Sequence, residues 1–187
     1  MTNLSQWDAA VVPTAYDFSQ FRTLVDVGGG QGALLISILK SNPTLHGVLC
    51  DQAHVVQGAR ERIQAEGLGS RCEIVTGNIF DSVPSGADAY LLKYIIHDWR
   101  DDRAHVLLTN CRRAMTTGAK LLLIEMIVPS PAESHLAKTS DVELLILLGS
   151  PERTADEYET LLKRAEFRLD RVVPTSEAMS IIEATPV

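Results

Sequence analysis

Cysteine and positive charge are scarce in this chain of 187 residues. The three cysteines, Cys50, Cys72 and Cys111, form no CxxC pair and have no metal-ligand spacing, which argues against a disulfide scaffold and a cysteine-bound zinc site. Lys and Arg number 17 against 24 Asp and Glu, so the net charge is −7. This acidic balance argues against nucleic acid or an anionic membrane as a partner.

The sequence also lacks the patterns of export and membrane insertion. Residues Met1 to Gln6 contain neither a basic segment nor an apolar core, so no signal peptide is predicted. No apolar run reaches the length of a membrane span. The composition, 45% hydrophobic and 22% charged, is ordinary for one globular domain with a sizeable core. We therefore expect a cytoplasmic protein.

What the chain does contain is a glycine cluster, Gly28 to Gly32. Apolar, β-prone residues precede it over 24–27, and an apolar helical pattern follows it over about 31–41. This order predicts a buried strand, a tight turn and the start of a helix. Glycine suits such a turn because it adopts unusual φ and ψ and lets a ligand approach the backbone. A glycine-rich connection without a ligand is the alternative.

The same patterns extend along the chain as alternating strands and helices. Further strands are predicted over 46–50, 72–75, 87–93 and 120–128, with helices over 53–66, from Asp101, over 138–148 and over 154–165. Short strands over 168–173 and 179–183 are joined so closely that they must pair antiparallel. The prediction is an α/β sandwich with a largely parallel sheet and one reversed strand in a C-terminal hairpin.

Polar residues concentrate where the predicted strands end, which is where open parallel sheets bind ligands. The candidates are Gly28 to Gly32, Asp51, Asn78, Lys93 to Trp99 and Glu125. Asp51 lies about twenty residues past the glycine turn, where a carboxylate can accept hydrogen bonds from ribose hydroxyls. It could instead cap a helix starting near Ala53. The turn alone also leaves NAD open as the ligand.

Four motifs in order make the pattern specific: VDVGGGQG (25–32), GNIF (77–80), YLLKYIIHDW (90–99) and ERT (152–154). Together they resemble the catalytic domain of S-adenosylmethionine-dependent O-methyltransferases of the plant caffeate and bacterial natural-product type. The resemblance implies the class I methyltransferase fold, a Rossmann-like sandwich with a seven-stranded sheet. It also implies a short approach segment over 1–22 and a catalytic domain over 23–187. The family's usual N-terminal dimerisation domain is expected to be absent, and the oligomeric state is left open.

The resemblance assigns the cofactor residues one by one. Gly28 and Gly30 would pass close to the methionine part of S-adenosylmethionine, and Asp51 would hold the ribose. Asn78, Ile79 and Phe80 would surround the adenine, and Lys93 would lie at the cofactor edge. The family usually has Asp where Asn78 stands. Asn keeps an acceptor oxygen but loses the charge, so we expect weaker cofactor binding.

His97 resembles the general base of that family, with Glu125 and Glu152 as its acidic neighbours. A phenol is a poor nucleophile when protonated, and an imidazole can accept its proton as attack begins. A carboxylate on the other ring nitrogen would fix the tautomer. The alternatives are a structural His97 beside a helix whose caps are Asp98 and Asp101, and a simple Glu152–Arg153 ion pair.

The expected activity is methyl transfer from S-adenosylmethionine to a phenolic hydroxyl of a small aromatic molecule, with S-adenosylhomocysteine as product. The spacing of the acids and histidines predicts no metal. The alternative is a domain that binds the cofactor but turns over poorly, because the domain that closes over the acceptor is missing. Acceptor selectivity is expected around Tyr94, Met126, Leu144 and Leu148.

Overall fold

The computed structural model describes residues 10–129, 152–176 and 178–187. Its strands are β1 (Thr23–Val27), β2 (His46–Asp51), β3 (Cys72–Thr76), β4 (Ala89–Lys93), β5 (Lys120–Met126), β6 (Phe167–Pro174) and β7 (Met179–Pro186). Its helices include α1 (Ala33–Ser41), α2 (Ala59–Ala65), α3 (Asp101–Ala114) and α4 (Ala155–Arg164), with a 3-10 turn over Ile96–Asp98. Residues 10–15, before β1, are helical as well. None of the helices in these ranges is both long and apolar enough to cross a bilayer.

The seven strands form one sheet in the order β3-β2-β1-β4-β5-β7-β6. The first five strands pair parallel, and β7 runs antiparallel to both β5 and β6. The predicted fold class is therefore confirmed, including the reversed strand in the C-terminal hairpin. The order changes direction at β1, so the ends of β1 and β4 lie at a topological switch point, where ligands bind in such sheets.

Apolar side chains cover both faces of the sheet because neighbouring strand residues point to opposite sides. In β5, Leu121 and Leu123 join the core under α3 and α4, while Leu122 and Ile124 join the core under α1. Helix α1 packs tightly on β2, since a Cβ at Gly47 would lie 2.9 Å from Leu35 Cδ1. The sheet is therefore buried between two apolar cores.

Several predicted elements are shorter than expected, among them α2 and β5, and one lies outside the described residues. Helix α2 begins at Ala59 rather than 53, because turns occupy 53–58 and Gly58 adopts a left-handed φ of +84° at the N-cap. Strand β5 ends at Met126 rather than 128, and Ile127 forms an isolated parallel bridge with Arg153. The helix predicted over 138–148, with Leu144 and Leu148, lies outside the described residues.

A network of charged side chains gathers around the amino end of β5. Lys120 Nζ lies 2.8 Å from Asp170 Oδ2 and 3.0 Å from Glu183 Oε1. Glu183 Oε2 accepts hydrogen bonds from Arg171, at 2.8 Å, and from the Tyr16 hydroxyl, at 3.0 Å. We call Tyr16, Lys120, Asp170, Arg171 and Glu183 the Lys120 cluster. It fastens the segment before β1 to the far strands of the sheet.

Candidate active site

The glycine turn after β1 adopts the left-handed backbone that its sequence predicts. Gly28, Gly30 and Gly32 have φ of +72°, +62° and +76°, and Gly28 N donates to Cys50 O at 2.8 Å. A Cβ at Gly28 would lie 2.6 Å from Ile95 Cδ1, whereas one at Gly30 would meet no atom within 4 Å. The turn is thus closed behind Gly28 and open beyond Gly30, and this bare backbone fits the approach of a cofactor.

Asp51, at the end of β2, is tied directly to this turn. Its Oδ2 accepts a hydrogen bond from Gly30 N at 2.8 Å, and its Oδ1 accepts one from Gln52 N at 2.7 Å. Because α2 begins only at Ala59, Asp51 is not the cap of that helix. Each carboxylate oxygen can accept more than one hydrogen bond, so both retain capacity for ribose hydroxyls.

The loop after β3 is anchored by helix α3. Asn110, a buried residue of that helix, donates through Nδ2 to Ile79 O at 3.1 Å and to Phe80 O at 2.7 Å. Asn78 itself is exposed, and its Oδ1 accepts from Phe80 N at 3.1 Å. Sequence reasoning missed Asn110, for which a polar residue within the apolar face of the predicted helix was the available signal.

Phe80 and Trp99 form one aromatic wall next to this loop. Their ring centroids lie 4.7 Å apart in an edge-to-face arrangement. The Arg103 guanidinium lies over Phe80, 3.9 Å from the ring centroid, a geometry that adds a cation–π attraction. Trp99 therefore packs against a residue predicted to surround the adenine.

His97, Glu125 and Glu152 come together at the carboxyl ends of β4 and β5. His97 Nδ1 lies 3.3 Å from Glu152 Oε1 and 3.7 Å from Glu125 Oε2, and one ligand-type atom of each lies within 4.8 Å of the others. The bridge between Ile127 and Arg153 brings Glu152 beside the end of β5. We call these three residues the His97 cluster. The resemblance named the two glutamates as acidic neighbours of His97, and the three form a group compact enough to surround one cation.

Ile95 connects the His97 cluster to the glycine turn. Its side chain faces Gly28, and its N–H donates to Glu125 Oε1 at 3.2 Å. Ile96 N donates to the same oxygen at 2.8 Å, while Glu125 Oε2 has no hydrogen-bond partner among the described residues. The base candidate and the glycine turn therefore contact one short segment of backbone.

Burial and charge act against each other in the His97 cluster. Burial raises the pKa of the Glu125 carboxyl to about 7, despite the opposing effect of His97. Burial alone would lower the pKa of His97, but the hydrogen bond to Glu152 and the charge of Glu125 outweigh it, so this pKa is raised. The imidazole thus has a stronger affinity for a proton than a free histidine has.

Arg153 pairs with Asp101 rather than with Glu152, which was the alternative from the sequence. Arg153 is buried and pairs with Asp101 at 2.9 Å, and it donates to Ile96 O at 3.1 Å and Trp99 O at 2.7 Å. The N-cap residue of α3 is Arg100, with no side-chain cap bond, so Asp98 and Asp101 are not its caps. Arg153 instead fixes the backbone on both sides of His97.

Asp26, within β1, is a buried acid that sequence reasoning did not single out. Its Oδ2 has no hydrogen-bond partner among the described residues. Burial raises the pKa of Asp26 to about 7, with the charge of Lys93 acting in the opposite direction. Lys93 ends β4, and its Nζ lies 4.9 Å from the Tyr94 ring centroid. The signal for Asp26 was an acidic residue inside a run predicted to be fully buried.

Comparison with known proteins identifies the family. A family model for the O-methyltransferase domain matches residues 1–168. Phenazine O-methyltransferase of Lysobacter antibioticus is 46% identical over 179 residues, covering 96% of this chain and 52% of that protein. The mitomycin biosynthesis 6-O-methyltransferase of Streptomyces lavendulae is 39% identical and is covered over 50% of its length, against 93% of this chain.

A solved structure gives the same result. The methyltransferase of calicheamicin biosynthesis, in its S-adenosylhomocysteine-bound form, superposes with a TM-score of 0.92 at 39% identity, over 100% of this chain and 55% of that one. The chain spans about half the length of each of these relatives. On the family match and these identities, the chain belongs to the O-methyltransferase domain family.

Proposed function

We propose that this chain transfers a methyl group from S-adenosylmethionine to a phenolic hydroxyl of a small aromatic molecule, with His97 as general base. The observation that carries the proposal is the contact of His97 Nδ1 with Glu152 Oε1 at 3.3 Å, in a cluster joined by Ile95 to the glycine turn. The similarity to the phenazine O-methyltransferase supports an aromatic acceptor, because a phenazine is an aromatic compound.

Two buried carboxylates face Nδ1 of His97, against the partly exposed Asp98, whose Oδ1 lies 3.4 Å from Nε2. An ionised Glu152 can only accept a hydrogen bond, so Nδ1 of the neutral imidazole carries the proton and donates it. Nε2 is then the nitrogen that accepts the phenolic proton, while the carboxylates stabilise the imidazolium that forms. The raised pKa of His97 favours this step.

The residues at the cofactor end would bind and align. Gly28 to Gly32 would offer bare backbone to the methionine part, Asp51 would accept from the ribose hydroxyls, and Ile79 with Phe80 would flank the adenine. When bound, the cofactor supplies a methyl group on a positively charged sulfur, so that transfer forms an O–C bond and breaks a C–S bond. Alignment of the acceptor oxygen with that methyl group would supply much of the remaining rate.

Asn78 bears on the affinity rather than on the chemistry. Its Oδ1 already accepts from Phe80 N, and it has no charge with which to attract the adenine amino group. We expect Asn78→Asp to bind S-adenosylhomocysteine several-fold more tightly in a calorimetric titration. Asn78→Ala, which removes the acceptor, will bind it more weakly.

The second candidate is a domain that binds the cofactor with little turnover. It is favoured by one finding, that the chain spans about half the length of its relatives. An acceptor site without its remaining walls would exclude water poorly. On this second proposal, turnover requires the part of the relatives that their match with this chain does not cover.

Two measurements on the same preparation test the proposal. S-adenosylhomocysteine affinity is measured by calorimetry, and methyl transfer is measured on a panel of phenols and hydroxylated phenazines. We expect binding and turnover, with turnover falling about 10²-fold or more in His97→Ala while affinity is unchanged. Binding without turnover favours the second candidate, and full activity of His97→Ala overturns the base assignment.

A further inference from the structure

Two separations in the His97 cluster are close to those of a tetrahedral metal site. Zinc bonds to histidine nitrogen and carboxylate oxygen of about 2.0 to 2.2 Å put two tetrahedral ligands about 3.3 to 3.6 Å apart. His97 Nδ1 lies 3.3 Å from Glu152 Oε1 and 3.7 Å from Glu125 Oε2. One ligand atom of each residue lies within 4.8 Å of the others, so small movements of the carboxylates would complete a tetrahedral set.

The ligand atom of Glu125 is both buried and oriented. The Glu125 side chain is 0% exposed, and its Oε1 is held by the N–H groups of Ile95 and Ile96, at 3.2 and 2.8 Å. Those bonds aim Oε2 at His97, where it has no hydrogen-bond partner among the described residues. Carboxylates fixed in this way by outer hydrogen bonds are typical of metal sites.

The donor set selects the class of ion. One imidazole nitrogen with two carboxylate oxygens suits Zn²⁺ and similar divalent transition metals. Ca²⁺ prefers six to eight oxygen ligands, and Mg²⁺ retains several waters in an octahedron, which a buried three-atom set does not offer. Two carboxylates also match the charge of one divalent cation.

We infer that His97 Nδ1, Glu125 Oε2 and Glu152 Oε1 bind one Zn²⁺-type cation, which inhibits methyl transfer by occupying the Nδ1 lone pair. Coordination at Nδ1 leaves the proton of the neutral imidazole on Nε2. Nε2 then has no lone pair with which to accept a phenolic proton. The inhibition, though not the binding, rests on the proposed role of His97.

The binding test needs neither cofactor nor acceptor. The purified chain is titrated with Zn²⁺ by calorimetry and with Co²⁺ by visible absorption, where tetrahedral coordination gives intense bands. We expect one site, with the dissociation constant raised about tenfold or more in Glu152→Gln and in His97→Ala. His54→Ala, which removes an exposed histidine, is the matched control and will bind as the parent does.

The results separate this inference from the proposed function. No binding, equal binding in all variants, or loss of binding in His54→Ala overturns it. Thermal denaturation checks that each variant is folded, and His97→Ala is used if Glu152→Gln does not fold.

If the chain methylates the phenol panel, Zn²⁺ will inhibit this methylation and a chelator will restore it. Activity that is unaffected by bound Zn²⁺ overturns the inhibition. If the chain binds Zn²⁺ but methylates no phenol, the metal site is supported and the proposed function is contradicted.

Discussion

The two ends of strand β5 hold buried carboxylates under opposite conditions. At the amino end, burial alone would raise the pKa of Glu183, but hydrogen bonds from Arg171 and Lys120 bring it below its usual value. At the carboxyl end, Glu125 receives two backbone N–H groups and a histidine, and its pKa rises to about 7. The Lys120 cluster is neutralised and stabilises the fold, whereas the His97 cluster retains uncompensated charge that chemistry can use.

The largest expected effect separates the clusters by activity. In Glu152→Gln the imidazole loses the charge that stabilises its protonated form, so kcat will fall about 10²- to 10⁴-fold in a methylation assay. Affinity for S-adenosylhomocysteine will be unchanged. The matched control is Glu183→Gln, the same substitution in the Lys120 cluster, which will retain the parent kcat. Similar losses in both variants would contradict a catalytic difference between the clusters.

The next effect separates them by stability. Lys120→Met leaves Asp170 and Glu183 without the ammonium group that contacts both. The free energy of unfolding will fall by about 2 kcal/mol, below the full cost for a buried pair because Lys120 is partly exposed. Denaturant titration measures this change. Lys40→Met, which breaks the exposed pair with Glu66, is the control and will leave stability nearly unchanged.

Low pH should destabilise the fold through Asp170, a member of the Lys120 cluster. Despite its partial burial, hydrogen bonds from Lys120 and Thr185 lower the pKa of Asp170 to about 2, below its usual value of 3.8. Between these values the unfolded chain binds more protons than the folded one, so stability falls as pH falls through this window. The loss is at most about 2 kcal/mol, and salt will reduce it.

Asp170→Asn tests this assignment by removing the titrating group. Denaturant titrations along a series of acidic pH values will give a shallower decline of stability for this variant than for the parent chain. Parallel declines in the two proteins would mean that Asp170 does not titrate in that window.

The smallest expected effect is on the free energy of unfolding, which the same substitution changes in opposite directions in the two clusters. Glu125→Gln keeps an oxygen for the N–H groups of Ile95 and Ile96 but removes a charge that burial disfavours. We expect the free energy of unfolding to stay level or rise by about 1 kcal/mol, while kcat falls. Glu183→Gln will lower the stability instead, because its partners Lys120 and Arg171 lose a counter-charge. A clear loss of stability in Glu125→Gln would contradict this contrast.

Sequence patterns predict the sheet well because the signals of its strands are local. The apolar run of β5, the turn at Gly28 and the hairpin of β6 and β7 each depend on residues close together in the chain. The start of α2 was misjudged because the apolar pattern runs through Gly58, whose left-handed backbone begins the helix only at Ala59.

The contacts between distant residues had no such local signal. Lys120 bonds Asp170 across 50 positions, and Arg153 bonds Asp101 across 52. The residues of the His97 cluster could be named from the family motifs, but their closeness depends on the bridge of Ile127 with Arg153. The orphan oxygens of Asp26 and Glu125 likewise emerge only when the surrounding atoms are placed.

Helix α3 has a consequence for protein engineering. Arg153 forms an ion pair with Asp101 in the first turn of this helix. Asn110, in the second half of the helix, donates hydrogen bonds to the backbone of Ile79 and Phe80. The same helix therefore sets the position of the base candidate and of the loop after β3. Libraries aimed at new acceptors should keep Asp101, Asn110 and Arg153 constant and vary positions such as Tyr94 and Met126, which α3 does not carry.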